Sequence, residues 1–365
     1  MTSRLPASPP SLANIPNVRS APKRVAVIGG GISGLAAAYR LTSLPDRPSV
    51  TVFERSKQLG GVLQTDTRDG FLMELGPDSL LSRLPWGVDL CRRIGLSDQL
   101  ISTREGQRGV YVVCRGQLER VPEGLAVMAP QRIWPFITTP TLSWWAKLQL
   151  GAERFVRKRT DKSDESLADF CRRRLGRETF ERLVQPLAGG IYMGDPEQLS
   201  IQATFPQFVE MESKYGSLTR ASGAATAKSK AQAGGAKPAT AGPEYSMFVS
   251  PAGGTAQLIE RLAEQLTECD LRREQNIQHV RPAGGGWSLA VRDEASGESR
   301  EEAFDGVLVA IPAHHAATLL EETDADLAGL LNRIPYAGCT VVNLAFDRDA
   351  IPHPLDRFGF VVPHI

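Results

Sequence analysis

The sequence predicts an α/β fold built on a parallel sheet, and three observations predict it. Arg24-Val25-Ala26-Val27-Ile28 is a short apolar, β-branched run that reads as a buried strand. Glycines follow at once, and then the helix-like stretch Leu35-Ala36-Ala37-Ala38-Tyr39-Arg40-Leu41. Val50-Thr51-Val52-Phe53-Glu54 reads as the next strand. Strand, helix, strand within about 30 residues is the βαβ unit of a parallel sheet, because parallel neighbours need a crossover.

The glycines of that first turn carry the chemistry. Gly29-Gly30-Gly31-Ile32-Ser33-Gly34 contains G-x-G-x-x-G at positions 29, 31 and 34. Gly29 allows the tight departure from the strand, Gly31 lets a pyrophosphate approach the backbone, and Gly34 permits close helix-on-strand packing. The helix amino end then offers N–H groups and partial positive charge to phosphates. Glu54 closes the second strand, and a carboxylate there accepts from both hydroxyls of a ribose diol. It would repel a 2′-phosphate. These residues together predict a dinucleotide ligand and argue against the 2′-phosphorylated, NADP type.

The remaining elements follow in order. Residues 1–22 hold prolines, serines and two arginines but no acid, and read as a disordered leader. An organelle transit segment is the alternative reading. The region from about 80 to 210 reads as mostly helical. Leu167, Phe170, Cys171 and Leu175 share a helix face, with Asp164 or Ser163 as its cap and Gly176 as its end. Between Ile133 and Ala146 the chain carries no charge but holds Trp134, Phe136, Trp144 and Trp145, flanked by Arg132, Lys147, Arg154, Arg157, Lys158 and Arg159. That segment suits either a membrane surface or a helix–helix contact. Residues 221–242, almost all Ala, Gly, Lys, Ser and Thr, read as a flexible linker or surface loop. Leu258, Leu262 and Leu266 mark another helix face, and Val307–Ile311 and Val341–Phe346 are further strand candidates.

Composition bounds the rest. A chain of 365 residues and 39.6 kDa, 42% hydrophobic, suits two or three globular domains. A net charge of +1 gives no global field to collect nucleic acid. Cys91, Cys114, Cys171, Cys269 and Cys339 form no C-x-x-C pair and read as reduced core thiols. The histidines show no metal-ligand spacing. No uncharged run reaches the roughly 18 residues of a transmembrane helix.

The stretch Glu54-Arg55-Ser56-Lys57-Gln58-Leu59-Gly60-Gly61-Val62 resembles the extended FAD fingerprint of the protoporphyrinogen/coproporphyrinogen oxidase family, within the amine oxidase superfamily. The family usually has Arg where this chain has Gln58, and Lys57 or Arg55 is the candidate for the missing charge. Gly76-Pro77-Asp78-Ser79 resembles the segment that runs beneath the isoalloxazine ring. Pro186-Leu187-Ala188-Gly189-Gly190-Ile191-Tyr192-Met193-Gly194-Asp195-Pro196, with Leu199-Ser200 and Thr204-Phe205-Pro206, resembles the tract typical of these oxidases. Physically, Gly189, Gly190 and Gly194 predict a close-packed turn between helices. Val121-Pro122-Glu123-Gly124-Leu125, Tyr245-Ser246-Met247-Phe248 and Gly253-Gly254 resemble other family tracts. Val280 resembles the position whose backbone holds the adenine end.

The resemblance implies a Rossmann-like FAD-binding domain of the glutathione-reductase/amine-oxidase type, with an inserted, mainly helical domain and a mixed-sheet substrate domain. The implied division is a leader at 1–22, a first FAD-binding segment at 23–85, a helical and substrate-binding insertion at 86–215, a linker at 216–243, a second FAD-binding segment at 244–315 and a substrate-domain segment at 316–365. It implies dehydrogenation of a porphyrinogen in two-electron steps, with FAD taking a hydride and oxygen as the final acceptor. No catalytic acid or base and no metal are expected. Arg83 and Arg115 are candidates to hold propionates, with Arg357 as a further cation, and Phe358 is a candidate stacking wall. Each has a plainer reading as a surface or core residue. His314 and His315 read as a helix-start surface pair or as groups facing the cavity. The expected setting is cytoplasmic and peripheral to a membrane, with organelle import open. The alternatives are another amine-oxidase-type flavoenzyme, or an inactive FAD-binding fragment, since family members run on beyond the position of Ile365.

Overall fold

The computed structural model describes residues 24–82, 84–104, 109–122, 125–126, 129–130, 138–161, 163–224 and 248–364. The chain forms two compact units, one of Met1–Ser102 with Tyr245–Pro335, the other of Thr103–Glu244 with Tyr336–Ile365. The leader, most of the 216–243 linker, and Trp134 and Phe136 lie outside the described residues.

In the first unit β1 (Arg24–Ile28) and β2 (Ser49–Phe53) are joined by α1 (Ile32–Thr42). They share a four-stranded parallel sheet with β12 (Asp270–Arg272) and β16 (Gly306–Val309), in the order β12-β2-β1-β16. Both faces of this sheet are covered, which is why its strands are continuously apolar rather than alternating. On one face Val27, Val50 and Val52 pack with Leu35 and Ala38 of α1 and with Leu258, Ile259 and Leu262 of α9 (Ala256–Gln265). On the other face Ala26, Ile28 and Phe53 meet Val280, Leu289, Val291 and Phe304. Those residues belong to an antiparallel sheet of β13 (Gln275–Ala283), β14 (Gly286–Asp293) and β15 (Ser299–Phe304).

The hairpin of β3 (Thr65–Arg68) and β4 (Phe71–Glu74) stands beside this core. A small sheet joins β5 (Leu80–Leu81), β6 (Leu100–Ser102) and β11 (Phe248–Pro251), where the second half of the chain returns. The helix α2 (Pro85–Arg93) adds Cys91, and the next residues add Ile94 and Leu96, to the same core. The first unit therefore runs to Ser102 and Pro335, past the expected limits at 85 and 315, and α10 (Ala313–Leu320) and α11 (Ala325–Asn332) belong to it.

In the second unit β7 (Tyr111–Cys114) and β8 (Gln117–Arg120) form a hairpin, and β17 (Phe360–Val361) pairs parallel to β7. The pair β9 (Leu125–Ala126) and β10 (Ala129–Pro130) follows. Then come α3 (Trp144–Ala152), α4 (Leu167–Leu175), α5 (Arg177–Thr179), a π-wound turn Phe180–Val184, α6 (Gln185–Tyr192), α7 (Ile201–Thr204) and α8 (Pro206–Tyr215). Val112, Leu150, Phe170, Leu183 and Phe208 share one core. Among the described residues of the stretch from about 80 to 210, α2 is followed mainly by short strands, and helices dominate only from Trp144 onward.

Three local expectations change. Ser166, not Ser163 or Asp164, caps α4, because its side chain accepts from the Asp169 N–H. Gly189 and Gly190 lie inside α6 rather than in a turn, and only Gly194 follows the left-handed Met193 that ends it. Val341–Phe346 forms no strand, since no described segment pairs with it; Val342, Leu344 and Phe346 are exposed. Cys339 next to it is also exposed, whereas Cys91 and Cys171 are buried core thiols as expected.

No sequence pattern announced the ion network inside the second unit. Arg174 and Glu153 pair at 2.7 Å with both side chains wholly buried. Glu153 also accepts from the Ser217 hydroxyl and the Leu218 and Thr219 amides. Arg174 donates onward to the Val156 and Gly216 carbonyls. Arg173 links Glu165 and Glu212 at its edge. Burial works to raise the Glu153 carboxyl, but its hydrogen bonds outweigh that and hold it below the ordinary carboxylate range. A buried pair is stable only while both partners remain. Glu153→Ala is therefore expected to cost about 3–5 kcal/mol, read as a lower urea midpoint with proteolysis starting in residues 103–224. An unchanged midpoint would refute this role. Because the folded value is the lower one, this stabilisation is complete above the ordinary Glu value of about 4.3 and fades as pH falls through the folded value.

Candidate functional site

At the carboxyl end of β1 the chain turns so tightly that side chains have no room. A Cβ at Gly34 would lie 1.9 Å from the Gly29 carbonyl oxygen, so α1 rests directly on the turn. Gly29 faces the Ala310 carbonyl, and Gly30 faces Leu59 and the Glu54 stem, equally closely. Gly31 differs. A Cβ there would find its nearest atom, the Gly61 Cα, at 3.9 Å. The protein's own packing therefore does not demand a glycine at 31; the bare backbone leaves space for something else.

The helix behind that space is uncapped. Gly31 is the N-cap of α1, no side chain bonds its first amides, and its first turn, with Ile32 and Ser33, holds no acid. The other long helix of this unit shows the contrast. Glu74 accepts from the Thr255 amide at 2.7 Å and the Thr255 hydroxyl at 2.8 Å, and Thr65 accepts from the Ala256 amide at 3.0 Å. The amino end of α9 is thus satisfied internally, while that of α1 presents its dipole to an anion.

Glu54 completes the site. Its Oε2 accepts from the Gly30 amide at 2.8 Å, and its Oε1 accepts from the Ser56 amide at 2.9 Å and the Ser56 hydroxyl at 2.7 Å. The carboxylate thus anchors the turn and retains acceptor capacity for ribose hydroxyls. The Gly60 amide donates to the Gly30 carbonyl at 2.8 Å, which lays Gly60 and Gly61 along Gly31. Val62 is 70% exposed, and its carbonyl abuts Gly76, so the two FAD-type tracts touch. Pro77 and Asp78 follow, exposed, with Ser79 bonded to Asp78. Arg55 is exposed and lines a cavity of about 470 Å³ with Ser56, Lys57, Glu274, Asn276 and Glu294.

Val280 is not brought to this turn. It is buried in β13, and its carbonyl accepts from the Thr323 hydroxyl. Gln275, five residues earlier, is the β13 residue whose amide bonds the Glu54 carbonyl, at 2.9 Å. Sequence reasoning missed Gln275 and Ser56 as site residues, and also Ala310, which lies inside the strand candidate Val307–Ile311 but just past the observed β16, against the turn.

In the second unit Phe358 is 57% exposed, and its amide donates to the Gly109 carbonyl at 3.0 Å. Phe360 and Val362, both 60% exposed, follow at alternate positions and share its face of the strand. Val361 turns inward to the core, beside Gly190 of α6. The period-2 spacing of 358, 360 and 362 was the available signal for this apolar face. Asp356 accepts from the Tyr111 hydroxyl at 2.8 Å and Arg357 lies against Gly109, so this tract is docked on β7. Arg115 sits at the β7–β8 turn, exposed and acting electrostatically on Glu178. Phe358 is held at Gly109, before β7, and Arg115 follows the other end of that strand. Arg83 lies outside the described residues. On α3, Trp144, Trp145, Leu148 and the following Phe155 are all exposed, and Lys147 stands 4.8 Å over the Trp144 ring.

Among the described residues no helix is long and apolar enough to cross a membrane, and no cluster of metal-ligating side chains occurs. The family model for flavin containing amine oxidoreductases matches residues 32–362. Coproporphyrinogen III oxidase of Propionibacterium freudenreichii is 33% identical over 92% of this chain and 66% of its own length. The enzyme of that name from Bacillus subtilis is 31% identical over 93% and 70%. The mitochondrial protoporphyrinogen oxidase of Nicotiana tabacum is 27% identical over 94% and 69%. A candidate protoporphyrinogen oxidase structure from Exiguobacterium sp. 255-15 superposes with a TM-score of 0.70 at 30% identity, covering 85% of this chain and 63% of that one. The chain thus spans about two thirds of the length of the relatives it matches. The expected α/β architecture of FAD-dependent oxidoreductases is borne out.

The two glycines predict opposite phenotypes. Gly31→Ala is expected to abolish flavin retention and, compared with flavin-free wild type, to leave the urea midpoint unchanged, because the added methyl meets only the ligand. Gly34→Ala is expected to lower the midpoint by forcing α1 off the turn. Absorbance of the purified variants and urea unfolding check both, and a Gly31→Ala protein that keeps its flavin would contradict the assignment.

Proposed function

The chain belongs to the flavin containing amine oxidoreductase family, and on that premise we propose that it oxidises a porphyrinogen to a porphyrin in heme biosynthesis, using FAD and molecular oxygen. The observation that carries the cofactor half is the turn at 29–34. It combines an uncapped helix end, a methyl-sized space at Gly31 and the Glu54 carboxylate. FAD fits these donors: diphosphate at the α1 amides, ribose at Glu54. The first unit, discontinuous in sequence, is the FAD-binding unit in this reading. When bound, the flavin supplies a hydride acceptor. The residues of the chain bind, orient and exclude water, and none is assigned as acid or base.

The substrate half rests on the named relatives and on the second unit. A porphyrinogen is a wide apolar ring carrying propionates, and the exposed Phe358, Phe360 and Val362 face offers it an apolar wall. Coproporphyrinogen III is the favoured substrate, because relatives named coproporphyrinogen III oxidase are 31–33% identical, against 27–30% for those named protoporphyrinogen oxidase. Arg115, Arg83 and Arg357 remain proposals for propionate contacts. Fluorescence gain with each porphyrinogen tests this. Coproporphyrin should form faster, and Phe358→Ala should raise KM several-fold with little change in kcat. Oxidation of neither substrate by flavin-loaded protein would overturn the reading.

Contact with a membrane surface belongs to the same proposal. Trp144, Trp145, Leu148 and Phe155 are exposed together, and Lys147 and Arg154 lie over Trp144 and Phe155. Exposed aromatics with basic neighbours suit the headgroup zone of anionic lipid. Co-sedimentation with phosphatidylserine vesicles, lost on replacing Trp144 and Trp145 by Ser, is the expected outcome. No binding at low salt would end the membrane reading.

A further inference from the structure

Tyr111 is buried on the wrong side of its strand. Its neighbour Val112 points into the apolar core of the second unit, as does Val361 opposite it on β17. Side chains alternate along a strand, so Tyr111 and its own partner, Phe360, stand on the other face. Phe360 is 60% exposed there, yet Tyr111 is only 7% exposed. The chain that leads into β17 covers it. The Tyr111 hydroxyl donates to Asp356 Oδ1 at 2.8 Å, and the His353 ring meets the Tyr111 ring edge to face, with centroids 5.2 Å apart. The Tyr111 amide donates to the Gly359 carbonyl at 2.9 Å, beside the bond from the Phe358 amide to Gly109.

Residues 351–358 thus form a strap over the outer face of β7. The strap is tied within itself. Arg348 donates to the carbonyls of Ile351, His353 and Pro354 at 2.7, 3.2 and 3.3 Å, and the Leu355 amide donates to His353 Nδ1 at 3.1 Å. Leu355 is left-handed, with φ at 52°, a conformation that a leucine keeps only when its surroundings hold it. Arg120 also reaches Asp356, at 3.5 Å, but its side chain is 66% exposed, where an ion pair contributes little. The hydroxyl of Tyr111 is therefore the directional tie between β7 and the strap. We propose that Tyr111 is a positioning residue for the substrate wall: its hydroxyl holds Asp356, and through the strap it sets where the Phe358 ring stands two residues later. This rests on the reading of Phe358, Phe360 and Val362 as the porphyrinogen wall and names the residue that shapes it. A ring left free to swing must be ordered when a flat apolar substrate settles on it. Loosening the strap therefore weakens binding and leaves the transfer step alone.

Steady-state kinetics of the flavin-loaded full chain with coproporphyrinogen III test this. Tyr111→Phe removes one hydroxyl and keeps the ring. It is expected to raise KM about fivefold, equivalent to about 1 kcal/mol, with kcat and FAD affinity unchanged. Asp356→Ala reaches the same tie from the strap side and should have the same effect, and the double variant should be no worse than either single one. Asp356→Asn keeps an oxygen that accepts from the hydroxyl and should restore most of the affinity. In a Phe358→Ala background Tyr111→Phe should add nothing, because it acts through that ring. An unchanged KM in both Tyr111→Phe and Asp356→Ala would overturn the assignment. So would a loss that falls on kcat instead, or an effect of the same size retained without the Phe358 ring. Wild-type protein that oxidises neither porphyrinogen would overturn the substrate reading and this role together.

Discussion

The first unit depends on a contact that leaves no room for one methyl group. Gly34 of α1 sits against the Gly29 carbonyl, and a Cβ would fall 1.9 Å from that oxygen. This approach sets where the helix begins. It also aims the free amides of α1 at the crevice past β1 and brings Gly30 within hydrogen-bond reach of Glu54. Had the helix been displaced outward by a side chain, the amides would no longer converge with the acid. The geometry proposed to bind an anion and the geometry that packs helix on strand are therefore one arrangement.

The same unit shows how helix ends are divided between structure and function. At α9 the amides are satisfied by Glu74 and Thr65, with the Thr255 hydroxyl bonded to the same carboxylate. At α1 no side chain does this. An uncapped end is costly for a helix on its own, so its persistence beside an open space and a ribose-type acid points to an external partner. The second unit solves a different problem. Its apolar core encloses the Arg174–Glu153 pair, which joins the residues after α3 and α8 to α4 through directional hydrogen bonds. Its exposed apolar residues include those on α3, those at the end of α6, the stretch from Val341 to Phe346 and the strand around Phe360.

Legibility varied with the range of the interaction. The βαβ unit and Glu54 were readable because glycine spacing, β-branched runs and the acid all lie within one short stretch. The helix of Leu167–Leu175 was readable from its apolar period, but its cap was not. Ser163, Asp164 and Ser166 are chemically equivalent candidates, and only backbone geometry selects among them. Val341–Phe346 has strand composition and no strand, because pairing requires a neighbour and composition does not supply one. Val280 and Gln275 lie on the same strand, and nothing local distinguishes the residue near Glu54 from the one buried against Thr323.

The sequence by itself determined the family, the dinucleotide turn, the acid that answers it and the tracts on either side, since each is a local pattern with one chemical use. The tertiary structure alone decided that Gln275, from the distant β13, is the residue whose amide bonds the Glu54 carbonyl, and that Ala310 closes on Gly29. It alone separated Arg115 from Phe358 and buried Arg174 against Glu153. These facts depend on which distant segments become neighbours. Long-range packing fixes that, and the spacing of residues along the chain does not encode it.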